Sequence, residues 1–175
     1  MEDAVKIRKG AMVAEPQKDS KGIPIITHDF LVNLCELQGQ YRSPHLNDRL
    51  YLAGRGFNKI QNMEKYLEIK SLYVNDNIIQ KIENINLFSK LKSLFLQNNQ
   101  ITKIEGLETL VNLEVLYLSN NHITRIENLN NLKLLSNLDL SSNQISDPEN
   151  ISELLDNQNL CTINLSNNLI SEGGE

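Results

Sequence analysis

The chain has 175 residues, of which 40% are hydrophobic and 5% aromatic, with no Trp and a formal charge of -5. That length gives one domain with a continuous core rather than two domains and a linker. The mild acidic excess argues against general nucleic-acid binding and against a polybasic membrane anchor. No apolar run is long enough to cross a bilayer, and the first residues lack the apolar stretch of a secretory signal, so a cytoplasmic protein is expected.

In chain order, residues 1–25 are charged and unpatterned, with Pro16, Gly22 and Pro24, and read as a disordered tail. Residues 26–46 read as a capping helix and a lead-in loop. Thr27, His28 and Asp29 offer N-capping chemistry ahead of Phe30, Leu31, Leu34 and Leu37, whose spacing gives one apolar helical face. Cys35 lies on this helix. With Cys161 it makes two cysteines, too few for a disulfide framework or a zinc knuckle.

From residue 47 to 175 the chain repeats itself. Segments starting at Ile69, Leu91, Leu113 and Leu135 are spaced by 22 residues, a diverged copy begins near Asn47, and a truncated one at Leu160 follows a copy three residues longer. About six copies are expected. The pattern L-x-x-L-x-L-x-x-N-x-I-x-x-I-E-N-L-x-x-L is the signature of leucine-rich repeats. It predicts an α/β solenoid: a curved parallel β-sheet on the concave face, short 3₁₀ or α segments on the convex face, and the Thr27–Leu37 helix as a cap. A single copy cannot bury its Leu and Ile set, but stacked copies can, with strands about 4.8 Å apart.

Each copy supplies a strand such as Leu94-Phe95-Leu96, with the leucines turned inward and the residue between them outward. Asn77, Asn99, Asn121, Asn143 and Asn168 occupy one position where the chain leaves the strand, and are expected to bond backbone groups of adjacent copies. Arg55 stands there in the first copy and is expected at an exposed end, where water satisfies the corner. Asn98 and Asn120 are expected to point outward and to tolerate Ala within about 0.5 kcal/mol. Single turns are predicted around Glu108–Leu110 and Asn130–Leu132, with a true helix from about Pro148 to Leu155, N-capped by Asp147. The last copy stops at Gly173-Gly174-Glu175, so either the chain is a fragment or its last strand edge is exposed.

Chemistry finds little support. Gly54-Arg55-Gly56 lacks the third glycine and the βαβ setting of a dinucleotide site, and His28, His45 and His122 have no ligand partner at helical spacing. Neither a catalytic residue nor a metal, cofactor or small-molecule substrate is expected. Lys59, Lys81, Lys103 and Arg125 run beside Glu83, Glu105 and Glu127 and read as a self-neutralising surface. The informative surface is the outward row Tyr51, Tyr73, Phe95, Tyr117, Asp139, Asn164. Its four aromatic rungs, flanked by Asn75, Gln97, Asn98 and Asn120, read as a protein-binding patch.

The 22-residue I-x-x-I-E-N-L repeat is similar to the subclass found in the leucine-rich regulatory subunit of protein phosphatase 1 and in ciliary proteins. Leu34-Cys35, then Leu46-Asn47-Asp48-Arg49-Leu50-Tyr51-Leu52, Gly56-Phe57-Asn58-Lys59-Ile60 and Asn62-Met63-Glu64-Lys65-Tyr66 resemble the lead-in of the dynein axonemal assembly factor 1 family. The likeness extends through Ser146-Asp147-Pro148-Glu149 to about Ser171. It implies a non-enzymatic cytoplasmic factor in preassembly of dynein arms for cilia or flagella, with axonemal dynein chains, chaperones or other assembly factors as partners. A phosphatase 1 regulatory subunit, or another ciliary adaptor, is the alternative.

Overall fold

A leucine that recurs every 22 residues lands at the same height on each turn of a coil, and the computed structural model, which describes residues 15–146 and 148–170, is such a coil. Six three-residue strands form one parallel sheet in sequence order: β1 Arg49–Tyr51, β2 Ser71–Tyr73, β3 Ser93–Phe95, β4 Val115–Tyr117, β5 Asn137–Asp139 and β6 Thr162–Asn164. Leu50, Leu72, Leu94, Leu116, Leu138 and Ile163 pair directly across neighbouring strands. The five leucines are buried. The strands end one residue before the expected Leu96, but cross-copy bonding continues, since the Leu96 N–H donates to the Tyr117 carbonyl at 2.8 Å.

The return path on the convex side is built from single turns. Leu107 and Leu129 accept from the N–H groups of Leu110 and Leu132, both at 3.0 Å, which closes i to i+3 turns where short segments were expected. The buried side chains of these turns, among them Ile85, Phe88, Leu107, Leu110, Leu129 and Leu132, join the strand leucines in one core. Burying each such side chain contributes about 1.5–3 kcal/mol. In the longer copy the expected α-helix is instead a 3₁₀ helix, Pro148–Asp156. Asp147, its expected N-cap, lies outside the described residues. Asn157, whose Nδ2 donates to the Leu129 and Leu132 carbonyls at 2.9 Å, fixes where the convex path must rejoin the core. A 3₁₀ helix rises about 2.0 Å per residue against about 1.5 Å in an α-helix, so it spans more of that path with the same residues.

Helix α1, His28–Leu37, caps the first copy. Thr27 Oγ1 accepts from the Phe30 N–H at 3.2 Å, the capping bond predicted from the sequence. Phe30, Leu31, Leu34 and Cys35 are buried beneath it. Within the segment read as a tail, residues 17–25 fold back. Asp19 Oδ1 accepts from the Lys21 and Ile23 N–H groups at 2.8 Å, and the Ile25 N–H reaches the Gln17 carbonyl at 2.7 Å. Residues 1–14 lie outside the described residues.

The helix changes the environment of Arg55. Arg55 is half-buried rather than at a fully exposed end: its guanidinium carbon sits 5.5 Å from the Phe30 ring centroid of α1, and burial pushes the guanidinium pKa down. The chain just past the helix guards the sheet edge. Gln38 and Gln40 Nε2 donate to the Tyr51 and Arg49 carbonyls at 3.2 and 2.8 Å, occupying acceptors that an added strand would otherwise use.

Candidate protein-binding face

Parallel register places every outward residue of one strand beside its counterpart on the next. Tyr51 pairs with Tyr73, Tyr73 with Phe95, Phe95 with Tyr117, Tyr117 with Asp139, and Asp139 with Asn164. The sequence-derived row is thus one continuous line across the concave face. Tyr51, Tyr73 and Phe95 stack, with centroids 4.7 and 4.4 Å apart and planes within 19° and 5° of parallel. Those centroid steps match the strand spacing, so the stacked rings present their edges to solvent. Tyr117 breaks the stack: its ring stands at 90° to Phe95, with centroids 5.3 Å apart. All four aromatic residues are half-buried, as is Asp139, whereas Asn164 is exposed.

The rigidity beneath this row comes from the corner asparagines. Asn99 Oδ1 accepts from the Ile79 N–H at 2.9 Å while its Nδ2 donates to the carbonyls of Val74 and Leu96 at 3.1 and 3.0 Å. Asn121 and Asn143 repeat these bonds one and two copies on. Asn77 Oδ1 takes the N–H groups of both Arg55 and Phe57, and Asn168 Oδ1 takes that of Ile145. Each amide therefore ties two copies together, with Asn77, Asn99, Asn121 and Asn143 buried and Asn168 half-buried.

Two further ladders escaped the sequence reading. On the rim of the sheet Asp76, Asn98, Asn120, Ser142 and Asn167 all hold a left-handed backbone. Asn98 Nδ2 donates to Asp76 Oδ1 at 2.6 Å and Asn120 Nδ2 to Asn98 Oδ1 at 2.8 Å. Opposite them, Asn62, Asn84 and Asn128 are also left-handed and send Nδ2 to the carbonyls of Ile26, Ile60 and Ile104. The signal was present: Asn, Asp or Ser ahead of each corner asparagine, and Asn closing each I-E-N, are residues that tolerate positive φ.

The charged ladder is separate from this face. Lys81 Nζ reaches Glu105 at 3.9 Å, and both side chains stay solvated. At the other rim Lys92 pairs with Glu114 at 2.7 Å and Lys70 with Asp48 at 4.0 Å. The neighbouring Tyr51 side chain raises the Arg49 pKa. No helix among the described residues is long and apolar enough to cross a membrane.

A stacked, single-sheet coil with a side-chain row displayed on its concave face defines a leucine-rich repeat solenoid. A family model described as leucine-rich repeat matches residues 29–157, and the chain belongs to that family. Among curated proteins it is similar to "Dynein axonemal assembly factor 1 homolog" of Drosophila pseudoobscura pseudoobscura, at 39% identity over 66 residues, covering 38% of this chain and 4% of that protein. It is similar to "Dynein axonemal assembly factor 1" of Peromyscus polionotus, at 42% over 61 residues, covering 35% and 10%. A third is "Leucine-rich repeat-containing protein ODA7" of Chlamydomonas reinhardtii, at 34% over 55 residues, covering 31% and 13%. The likeness read from the sequence therefore holds, and the chain spans a small part of the length of these relatives. Among solved structures an internalin from Listeria monocytogenes superposes with a TM-score of 0.66 at 27% identity, over 82% of this chain and 39% of that one. A leucine-rich repeat protein of Leptospira interrogans does so with a TM-score of 0.63 at 25% identity, over 78% and 34%.

Proposed function

We propose that this chain is a non-enzymatic, protein-binding scaffold that acts in the cytoplasmic preassembly of axonemal dynein arms for cilia or flagella, and that it holds its partner on the concave aromatic row. The observation that carries the reading is the alignment of Tyr51, Tyr73, Phe95 and Tyr117 on a rigid sheet. Large rings that are already ordered lose little entropy on binding and can give up apolar area to a partner. The names of the curated relatives support the dynein context, with axonemal dynein chains, chaperones or other assembly factors as partners. The Lys/Glu ladder contributes less, since exposed pairs are worth about 0–1 kcal/mol.

The test is affinity purification of the chain from ciliated or flagellated cells. Dynein heavy or intermediate chains are expected to co-purify, and the Tyr73→Ala, Tyr117→Ala double variant is expected to lose them while keeping its circular dichroism. Reversing Lys81 and Lys103 to Glu should change little. Loss only on charge reversal would move the interface to the ladder, and recovery of a phosphatase catalytic subunit in place of dynein chains would replace the assembly reading.

A further inference from the structure

The aromatic row ends in a recess. Tyr117, Asn137, Leu138, Asp139, Thr162 and Asn164 line an open cavity of about 200 Å³ where β4, β5 and β6 meet on the concave face. A water's share of liquid is about 30 Å³, so the recess has room for a side chain. Asp139 is its one charged residue. Oδ1 accepts from the Ser141 N–H and Oγ at 3.0 and 2.7 Å, which fixes the carboxylate on the sheet and leaves Oδ2 turned away from that turn.

Asp139 also differs from the other acids around the sheet. Asp48, Glu68 and Glu114 pair with lysines, and Asp76 takes amides from Asn75 and Asn98 on its two oxygens. Among the described residues Asp139 has no cationic partner within salt-bridge distance. At the other side of the recess Tyr117 is turned 90° out of the stack, so its ring faces no longer point along the row at Phe95. A carboxylate with one free oxygen beside a released aromatic ring suits a planar cation whose face stacks on the ring while its edge donates to that oxygen, which an ammonium does less well.

We propose that this recess takes the guanidinium of an arginine on the partner, seated on Tyr117 and paired with Asp139, while apolar side chains of the same partner segment lie on Tyr73 and Phe95. The inference rests on the concave-face reading and adds the chemistry of what is recognised there: a segment with a basic residue next to apolar ones. The overall charge of -5 favours such a partner.

The experiment uses ¹⁵N-labelled chain titrated at low salt with Nα-acetyl-arginine N-methylamide, and with the neutral isostere Nα-acetyl-citrulline N-methylamide. Amide shifts at Asn137, Thr162 and Asn164 are expected with the arginine probe, with at least fivefold weaker binding of citrulline and the same loss in Asp139→Asn. That variant keeps the turn, since Asn164 Oδ1 already accepts from the Ser166 N–H and Oγ at 3.1 and 2.8 Å in the next copy. Equal response to the two probes, or undiminished arginine binding by Asp139→Asn, overturns the proposal. Partner capture separates the two readings. Capture that survives Asp139→Asn but is lost in Tyr73→Ala overturns the arginine recess and leaves the concave face standing, whereas a fall of fivefold or more in Asp139→Asn supports both.

Discussion

Asn120 donates its side-chain amide to Asn98: Nδ2 lies 2.8 Å from Oδ1, and the two residues hold φ of 56° and 57°. Sequence reading took both for exposed positions that accept Ala freely. Exposed they are, but the left-handed backbone costs a residue with an ordinary Cβ about 1–2 kcal/mol, and the amide bond is lost as well. Asn98→Ala and Asn120→Ala are therefore expected to destabilise by about 1–2 kcal/mol, with Asn98→Gly less harmful than Asn98→Ala. Urea midpoints of the three variants check this; Ala and Gly variants of equal stability would contradict the backbone account.

The corner one residue later should be more sensitive. Asn121→Ala strands the buried Ile101 N–H and takes one of two amide donors from each of the carbonyls of Leu96 and Leu118, which keep those of Asn99 and Asn143. The unpaired N–H alone costs about 1–3 kcal/mol and two further hydrogen bonds are lost with it, so the loss should exceed that of Asn120→Ala. Asn99→Ala should behave alike. Chemical unfolding of Asn120→Ala and Asn121→Ala side by side gives the comparison, and matched midpoints would show that the corner bonds add nothing.

Gly106 stands where Asn84 and Asn128 stand in neighbouring copies, with φ of 71°, and a Cβ built there would lie 2.7 Å from the Ile82 carbonyl oxygen. Gly106→Ala combines that clash with positive φ and is expected to cost about 1–3 kcal/mol. Gly106→Asn should cost less, because an amide can bond the same carbonyl as its counterparts do. Thermal melts of the two variants test the order.

Alkali should weaken the fold through Tyr66 and Cys35, which are fully buried in the core. Burial pushes the Tyr66 hydroxyl up from 10.0 and the Cys35 thiol up from 9.0, with the neighbouring thiol adding to the shift of Tyr66. The folded state thus holds protons that the unfolded chain releases. This contribution is complete below about pH 9 and declines as pH rises, because the unfolded state then binds fewer protons. Tyr66→Phe should narrow the fall in Tm between pH 8 and 10.5 by about 2–4 °C.

The strand positions, the core and the aromatic row were legible because a 22-residue period writes each inward Leu, corner Asn and outward ring in the same column. Local signals also sufficed for α1, whose Thr27 cap acts within three residues. Long-range contact decided the rest. Arg55 is half-buried because α1, far away on a linear reading, folds over the first copy and brings Phe30 to it. The longer copy winds as a 3₁₀ helix whose exit is tied to the neighbouring copy by Asn157. Tyr117 and Phe95 read alike in sequence, yet one leaves the stack and the other stays, and the free oxygen of Asp139 follows from what Ser141 does and does not occupy. A repeating sequence sets which residues share a column; the packing of each copy against its neighbours sets ring angles, hydrogen-bond partners and the space left between them.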